Sequence, residues 1–186
     1  SLMSGTDKAI NVCLCVTGGV AAYKAAHLAS RLTQAGINVH VAITNSASNF
    51  IGSATFLALT GNPVTESVFQ GKQAPYGGHI QLAATCDILA VVPATADFLA
   101  KAAHGQADCI ASAVYLAFEG QVFLAPAMNS AMWNHLATRR NIAQLKKDGV
   151  EVLEPEDGWL SCRQKGQGRL MDIDKILNTL IDAATK

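Results

Sequence analysis

The amino-acid sequence predicts one three-layer α/β domain with a mainly parallel sheet. Short apolar runs that suit buried strands alternate along the chain with segments of helical spacing. Half of the 186 residues are apolar, as a sheet covered on both faces requires. No repeat, low-complexity tract or long polar linker divides the chain, and this length suits a single core. We therefore expect one domain over 1–186, with 1–8 as a disordered tail or a remnant of cloning.

The first half of the chain predicts a strand, a helix, a second strand and then shorter elements. An apolar run ends at Gly18 and Gly19, and a segment of helical spacing follows until Gly36 ends it. The predicted elements are a strand over 11–16, a helix over 20–35, a strand over 38–43, short helices over 46–50 and 53–59, and a glycine- and proline-rich loop or hairpin over 61–78.

The second half continues the alternation of strand and helix. The predicted elements are a strand over 87–92 closed by Pro93, helices over 95–103 and 107–117, a strand over 121–125, one helix over 130–147 ended by Gly149, a strand over 150–153, an irregular segment, and a helix over 173–184. Crossovers between such strands are right-handed and place helices on both faces of the sheet. The fold class is therefore flavodoxin-like or Rossmann-like.

Composition narrows the classes of partner. The 14 basic and 14 acidic residues balance, so we expect no nucleic-acid partner and favour a small ligand or another protein. The apolar stretch 12–22 contains Gly18 and Gly19 and is followed by Lys24, which argues against a signal peptide or membrane span. Five cysteines without a CxxC pair favour a reducing cytoplasm over disulfides or a zinc ribbon. HExxH spacing is also absent, and we expect no metal.

Three turns at predicted strand ends have the composition of anion-binding turns. Glycines follow the first strand, Thr44 and Ser46 follow the second, and Thr95 with Asp97 begins the helix after the third. Helix starts offer free N–H groups and a positive dipole end to a phosphate. The string TGGVAAYK is not the GxGxxG fingerprint, however, and these four polar residues also suit simple helix capping.

The string PAMNSAMW, residues 126–133, directly follows the predicted strand over 121–125. It places the amide of Asn129 where a parallel strand passes into a helix, the position at which open α/β sheets expose ligand-binding groups. The alternative is a tight turn whose methionines and Trp133 pack in the core.

Together these strings resemble the flavin-dependent cysteine decarboxylase family over nearly the whole chain. TGGVAAYKAA, the region 44–50, GHIQLA, PATADFLAK, GQAD and PAMNSAMW occur in the family's order. The resemblance implies FMN as the cofactor, although many relatives have Asn where this chain has Asp97. The implied cofactor-binding residues are Gly18, Gly19, Val20, Thr44, Ser46, Phe50, Thr95, Ala96, Asp97, Phe98 and Ala127.

The resemblance also implies a reaction. Family members use the flavin to oxidise the thiol-bearing carbon of a cysteine to a thioaldehyde, from which carbon dioxide leaves to give an enethiolate. His79 then corresponds to the base and Asn129, with neutral donor and acceptor groups, to the holder of the carboxylate. Cys162 corresponds to the acid that returns a proton. The implied catalytic residues are His79 and Cys162, and the implied substrate-binding residues are Asn129, Met132, Gly166, Gly168 and Arg169.

Cys162 lies in a CxxxGxGR string that resembles the family's mobile substrate flap, here 155–171, in which Gly166 and Gly168 supply freedom of movement. Arg163 and Leu170 depart from the residues that are common there. The three basic residues of this segment are either a phosphate-attracting group or simply solvated. We expect the side chains of His79, Asn129 and Cys162 to face one isoalloxazine ring.

Within the family, a cysteine at the position of Cys162 marks the redox-neutral branch. The implied function is decarboxylation of 4′-phosphopantothenoylcysteine to 4′-phosphopantetheine in coenzyme A biosynthesis. The alternatives are oxidative decarboxylation of a peptide C-terminal cysteine and a flavin-binding regulatory interaction protein. The implied partners are further copies of the chain, in a trimer or a dodecamer with flavin at subunit contacts, and a fused or separate phosphopantothenate–cysteine ligase.

Overall fold

The computed structural model describes residues 8–69 and 77–186, so the predicted tail lies outside the described residues except for Lys8, as does 70–76 of the predicted loop. Five parallel strands form the central sheet in the order β2-β1-β3-β4-β5. They are β1 Asn11–Val16, β2 Asn38–Ile43, β3 Ile88–Ala94, β4 Gln121–Pro126 and β5 Glu151–Val152. The predicted α/β fold class is confirmed.

Helices cover both faces of the sheet. They are α1 Ala22–Gln34, α2 Ser53–Thr60, α3 Gly78–Thr85, α4 Ala96–His104, α5 Ile110–Ala117, α6 Ser130–Asn134, α7 Leu136–Lys147 and α8 Ile173–Ala184, with a short 3-10 helix at Ala47–Asn49. Apolar residues of α1, α2 and α8 pack on one face, and those of α3, α4, α5 and α7 pack on the other.

The side chains of β1 alternate between these two core clusters. Val12, Leu14 and Val16 point into the cluster under α1 and α8, while Cys13 and Cys15 point into the other. This period of two follows from the pleat of a strand. Because both faces are covered, the strand reads as a continuous apolar run and not as an alternating one.

Three local predictions need correction. The predicted helix over 130–147 is two helices, because His135 adopts an extended backbone, with φ −62° and ψ 139°, and its Nδ1 accepts a hydrogen bond from the N–H of Ala137. Pro93 does not close the third strand but lies inside β3, where the pairing with β4 shifts register between Val91 and Ala94. The segment predicted as irregular contains an antiparallel hairpin, β6 Glu156–Trp159 and β7 Lys165–Arg169.

The described part of the predicted loop over 61–78 approaches the edge of the sheet. The N–H of Ile43 donates to the carbonyl of Thr65 at 2.9 Å, and the N–H of Thr65 donates to the carbonyl of Val41 at 3.0 Å. Within 8–69 and 77–186, no helix combines the length and apolar character needed to cross a bilayer. The same ranges contain no group of three or more His, Cys, Asp or Glu side chains placed to hold a metal ion.

Candidate active site

A cavity of about 900 Å³ lies at the carboxyl edge of the sheet. The turns that follow β1, β2 and β3 form one side of it, and the segment after β4 together with the β6–β7 hairpin forms the other. Strand ends of an open parallel sheet converge at this edge, which is why ligand-binding groups far apart in sequence meet there.

The turns after β1 and β2 touch each other at Gly18. A Cβ built on Gly18 would lie 2.4 Å from Cβ of Ser46 and 2.8 Å from its carbonyl carbon, which are distances that real side chains do not adopt. Glycine is therefore required here by close approach of two backbones. The contact holds both turns against the same part of the cavity.

Thr17 joins the turn after β1 to the turn after β3. Its hydroxyl donates to the carbonyl of Pro93 and accepts from the N–H of Thr95, the latter at 3.1 Å. The side chain is buried, with 2 % of its surface exposed. Both bonds tie the hydroxyl of Thr17 to the turn after β3, so this side chain organises the cavity that it also lines.

Thr44 and Thr95 cap helices and also line the cavity. The Thr44 hydroxyl accepts from the N–H of Ala47 at 3.1 Å, and the Thr95 hydroxyl accepts from the N–H of Phe98 at 3.2 Å. The capping interpretation is therefore correct for both, but it does not exclude a ligand, since both residues line the cavity. The start of α1 differs, because its N-cap residue Ala21 provides no side-chain hydrogen bond and leaves the first N–H groups without a side-chain acceptor.

Asp97 belongs to a small charge network at the start of α4. Its carboxylate lies 3.1 Å from Nζ of Lys101, which also lies 3.2 Å from the carboxylate of Asp108. Burial lowers the pKa of the Lys101 ammonium, but its hydrogen bonds to the two carboxylates outweigh this and the pKa is raised. Lys101 stays protonated and offsets part of the negative charge that Asp97 brings to the cavity wall.

Asn129 directly precedes α6 and caps it, because Oδ1 accepts from the N–H of Met132 at 2.9 Å. This bond fixes the side chain, and the NH₂ group remains as the donor that can reach a ligand. Met132 is 46 % exposed and lines the cavity, whereas Trp133 is fully buried. The core-packing interpretation of this segment is therefore right for Trp133 and does not account for Asn129 and Met132.

The β6–β7 hairpin carries Cys162 in its turn. The side chain of Cys162 is exposed and lines the cavity. The turn is closed by hydrogen bonds from the N–H of Leu160 to the carbonyl of Gln164 and from the N–H of Arg163 to the carbonyl of Leu160, both at 2.9 Å. Arg163 adopts a positive φ of 64°, a conformation that favours glycine.

The cavity lining also contains residues that were not predicted, among them Tyr23, Lys24, Lys101 and Trp159. Burial, and then the neighbouring charge of Arg169, lowers the pKa of the Lys24 ammonium. Lys24 and Arg169 both line the cavity, and their positive charges together suit an anionic group. Lys24 could have been found from its place in TGGVAAYK, two residues into α1, whereas nothing local marks Trp159 as part of a site.

The structure brings most of the predicted site residues together in this cavity: Gly18, Gly19, Val20, Thr44, Ser46, Thr95, Ala96, Asp97, Phe98, Ala127, Asn129, Met132, Cys162, Gly168 and Arg169. It does not place His79, Phe50 or Gly166 in the lining. His79 lies in the first turn of α3 and not before that helix, and its Nδ1 is buried without a hydrogen-bond partner among the described residues. Phe50 follows the 3-10 helix and is half exposed.

The cavity residues fit a ligand that carries both a phosphate and a flat apolar group. The positive dipole end of α1 suits an anion, although the N–H groups of Ala22 and Lys24 already donate to the carbonyls of Gly19 and Ala21. Ala127, Met128 and Met132 add apolar lining. The cavity therefore suits such a ligand better than a small inorganic anion.

Comparisons with known proteins agree with this fit. A bifunctional coenzyme A biosynthesis protein of Bacillus subtilis is 42 % identical over 167 residues, which are 90 % of this chain and 41 % of that protein. The chain thus spans about two fifths of the length of that relative. A probable phosphopantothenoylcysteine decarboxylase of Streptococcus mutans is 41 % identical over 171 residues, which are 91 % of this chain and 96 % of that protein.

Solved structures share this fold. The FMN-dependent cysteine decarboxylase SpaF superposes with a TM-score of 0.82 at 32 % identity, over 95 % of this chain and 98 % of that one. A mutant PPC decarboxylase in complex with pantothenoylaminoethenethiol superposes with a TM-score of 0.85 at 26 % identity, over 96 % and 100 %. The family model described as Flavoprotein matches residues 1–185. The chain therefore belongs to the flavoprotein family, and its cofactor is a flavin.

Proposed function

We propose that this chain is an FMN-dependent decarboxylase that converts 4′-phosphopantothenoylcysteine to 4′-phosphopantetheine and carbon dioxide in coenzyme A biosynthesis. The observation that carries the proposal is that one cavity is lined by the three anion-binding turns, by Asn129 and by Cys162. The similarity to the Streptococcus mutans relative over 96 % of that protein's length supports this substrate.

The turns at Gly18–Val20, Thr44–Ser46 and Thr95–Phe98 would hold the FMN phosphate and ribityl chain, and Ala127 would lie near the ring. Bound flavin supplies the two-electron oxidation of the thiol-bearing carbon and the later return of those electrons. The protein contributes position, exclusion of water and proton transfer. The buried residues Leu160 and Leu170 of the hairpin segment help exclude water from the cavity side.

Asn129 would hold the substrate carboxylate through its NH₂ group. The amide is neutral, so it orients the carboxylate without adding a positive charge that would stabilise it against loss of carbon dioxide. The cap bond to the N–H of Met132 keeps the side chain in one rotamer before substrate binds. Replacement of Asn129 by aspartate would put a like charge beside the carboxylate.

Cys162 would protonate the enethiolate carbon from its Sγ–H when the electrons return to the substrate. The same residue separates this proposal from oxidative decarboxylation of a peptide cysteine, in which the enethiol is the product. The similarity to SpaF, an FMN-dependent cysteine decarboxylase, favours that second candidate. Product masses distinguish them, since the reduced thiol is heavier than the enethiol by two hydrogens.

Lys24 and Arg169 would receive the 4′-phosphate of the substrate at the cavity mouth. Burial of Lys24 and then repulsion from Arg169 lower the pKa of that ammonium, although the carboxylates of Asp172 and Glu156 oppose the shift. An arriving dianion would offset the repulsion between the two cations, which is consistent with a site for a phosphorylated substrate. Lys165 is exposed and does not line the cavity, so it contributes only to the positive electrostatic potential around the hairpin.

His79 would act as the base in a cavity formed with a second copy of the chain. It does not line the cavity of its own chain, and the neighbouring Ile80 is 40 % exposed. Large apolar side chains are also exposed beside the cavity, with Val20 at 55 %, Tyr23 at 61 % and Trp159 at 61 %. Such a patch is typical of a protein interface and supports a homo-oligomer, a trimer or a dodecamer.

The proposed setting is the cytoplasm, next to the ligase that makes the substrate. The bifunctional name of the Bacillus subtilis relative, of which this chain matches 41 %, supports a fused or separate phosphopantothenate–cysteine ligase as partner. The free thiols at Cys13, Cys15, Cys86, Cys109 and Cys162 are compatible with a reducing compartment.

The decisive experiment combines cofactor release with turnover. Mass spectrometry of the released chromophore should give the mass of FMN, and 4′-phosphopantothenoylcysteine should yield carbon dioxide and the reduced thiol in equal amounts. A purified protein that binds FMN and releases no carbon dioxide from this substrate would instead favour the flavin-binding regulatory protein. Release of the enethiol alone would favour the peptide-decarboxylase branch.

A mixing experiment tests the shared site. His79→Asn and Asn129→Asp proteins, each inactive alone, should recover part of the activity when they are unfolded and refolded together, because some cavities then receive both native residues. No recovery from a mixture that does form mixed oligomers would show that His79 does not act across a subunit contact.

A further inference from the structure

Two consecutive carbonyl groups of β7 are hydrogen-bonded to the segment that carries Asn129. The hydroxyl of Ser130 donates to the carbonyl of Gln167 at 2.7 Å, and the N–H of Met128 donates to the carbonyl of Gly168 at 2.9 Å. These donors lie immediately before and after Asn129 in the sequence. The residue proposed to hold the carboxylate is thus flanked by the two groups that bind the hairpin.

The packing at this contact leaves no space for a side chain at Gly166 or Gly168 of β7. A Cβ built on Gly166 would lie 2.1 Å from Oγ of Ser130, and one built on Gly168 would lie 2.1 Å from the carbonyl oxygen of Met128. Gly168 is also buried and has a φ of 134°, a conformation that favours glycine. Both glycines therefore serve close docking of the hairpin, a role different from the freedom of movement that the sequence suggests.

The position of Cys162 depends on this docking. Its turn is closed by the two hydrogen bonds among Leu160, Arg163 and Gln164, so it moves with β7 as one unit. Beyond the turn, β6 and β7 pair from Trp159 with Lys165 to Glu156 with Arg169. A shift of β7 away from α6 would therefore carry the Cys162 thiol away from the cavity.

We infer that Ser130 is a positioning residue for Cys162, because its hydrogen bond to the carbonyl of Gln167 holds the β6–β7 hairpin in the docked state in which the thiol faces the cavity. The inference rests on the proposed function for the role of Cys162, but the docking itself does not. The bond is one of only two that join β7 to this segment in the described residues, and the other is made by backbone. Ser130 is therefore the side chain of this contact at which a substitution can alter the docked fraction.

Loss of one such hydrogen bond changes a conformational equilibrium by roughly 2- to 10-fold. Labelling of Cys162 cannot report this change, because that thiol is already exposed in the docked state. Hydrogen exchange of the Met128 amide can report it, since this N–H donates to the carbonyl of Gly168 and exchanges only when that bond opens. The measurement needs no substrate.

The experiment compares amide hydrogen exchange in the peptide that contains Met128, measured by mass spectrometry, in flavin-loaded wild-type, Ser130→Ala and Ser130→Thr proteins. The Met128 amide should exchange roughly 2- to 10-fold faster in Ser130→Ala, and threonine, which keeps the hydroxyl, should hold its exchange near the wild-type rate. Ser30→Ala, a substitution on the far helix α1, is the matched control and should exchange like wild type. Equal rates in wild type and Ser130→Ala, or an equal rise in Ser30→Ala, would overturn the inference.

A second readout ties the docking to the reaction. In air, with 4′-phosphopantothenoylcysteine as substrate, Ser130→Ala should release a larger share of its product as enethiol. The reason is that the Cys162 thiol, which is the proposed proton donor, is displaced from the cavity at the step in which the electrons would return to the substrate. The two electrons left on the flavin then pass to dissolved oxygen, which gives hydrogen peroxide in the same amount as enethiol. An unchanged product ratio together with faster exchange of the Met128 amide would reject the role in catalysis. If wild type proved inactive, the exchange rates would still decide whether Ser130 docks the hairpin, and only the proposed function would fail.

Discussion

Thr17 and Thr95 lie 78 positions apart in the sequence, yet the hydroxyl of Thr17 accepts a hydrogen bond from the N–H of Thr95 at 3.1 Å. The same hydroxyl donates to the carbonyl of Pro93. One buried side chain thus fixes the distance between two of the turns that line the cavity. The geometry of the cofactor site depends on this link as much as on the residues that would touch the cofactor.

Replacement of Thr17 by valine should therefore weaken both folding and flavin binding. Valine keeps the shape but leaves a buried N–H and a buried carbonyl without their partner, at a cost of about 1–3 kcal/mol. We expect a lower free energy of unfolding in urea and a higher dissociation constant for FMN, measured by flavin fluorescence. Thr17→Ser is the control, because it retains the hydroxyl. Valine and serine proteins of equal stability would show that the hydrogen bonds contribute nothing.

Substitution at Gly18 tests the contact between the first two turns. In Gly18→Ala the new methyl group would meet Ser46 at 2.4 Å, so one turn must move and the N–H groups that face the cavity separate. Flavin content after purification should fall sharply. Gly52→Ala is the matched control, because a Cβ there meets nothing within 4 Å and the backbone has an ordinary φ of −92°. Full flavin content in Gly18→Ala would contradict the contact.

The parts of the fold that the sequence predicts well are those that depend on local pattern. The predicted bounds of β1, β2 and α8 agree with the structure, because buried strands are short apolar runs and α8 has a clear apolar stripe. The β6–β7 hairpin was not predicted. Its sequences EDGW and KGQGR lack alternation, and β7 is held by docking to residues almost forty positions earlier, as in the bond from Ser130 to Gln167.

In the candidate site, too, the features that follow from local sequence pattern could be predicted and those that depend on distant contacts could not. Asn129 and the strand-end turns could be predicted, since strand ends of a parallel sheet meet at one edge whatever their order in the chain. The pair of Asp97 with Lys101 has the i,i+4 spacing of a helical ion pair and could be predicted, whereas the contact of Lys101 with Asp108 depends on how α4 ends and where the next turn runs. The proposed role of His79 stays a prediction, because it needs a second copy of the chain.

Asp97→Asn should tighten binding of FMN. The carboxylate lines the cavity near the proposed phosphate position, and Lys101 offsets only part of its charge because it is shared with Asp108. We expect a several-fold lower dissociation constant at low ionic strength and a smaller effect in high salt, since screening weakens the repulsion. The free energy of unfolding should change by no more than about 1 kcal/mol, as is usual for an exposed ion pair.

Asp108→Asn is the control for that experiment. It removes the other ion pair of Lys101, but Asp108 does not line the cavity. Lys101 is then free to pair with Asp97 alone, so FMN binding should change less than in Asp97→Asn. Equal changes in the two proteins would show that the charge of Asp97 acts through Lys101 and not directly on the ligand.

The ion pair between Glu156 and Lys175 makes docking of the β6–β7 hairpin depend on pH. Their side chains lie 2.8 Å apart and join the start of β6 to α8. The hydrogen bond from Lys175 lowers the pKa of the Glu156 carboxyl below its ordinary value of 4.5. A lowered carboxyl pKa means that the stabilisation is present at pH values above 4.5 and is lost as the pH falls through the lower, folded-state value. Glu156→Gln should therefore lower Tm and speed hydrogen exchange of the Met128 amide at neutral pH, and both differences from wild type at the same pH should vanish in acid.

Glu154→Gln is the control for that experiment. It removes a comparable pair with Lys146 at 2.7 Å, away from the hairpin, and should leave exchange of the Met128 amide unchanged. A difference in exchange between wild type and Glu156→Gln that persisted below the folded-state pKa would mean that the carboxylate charge does not hold the hairpin.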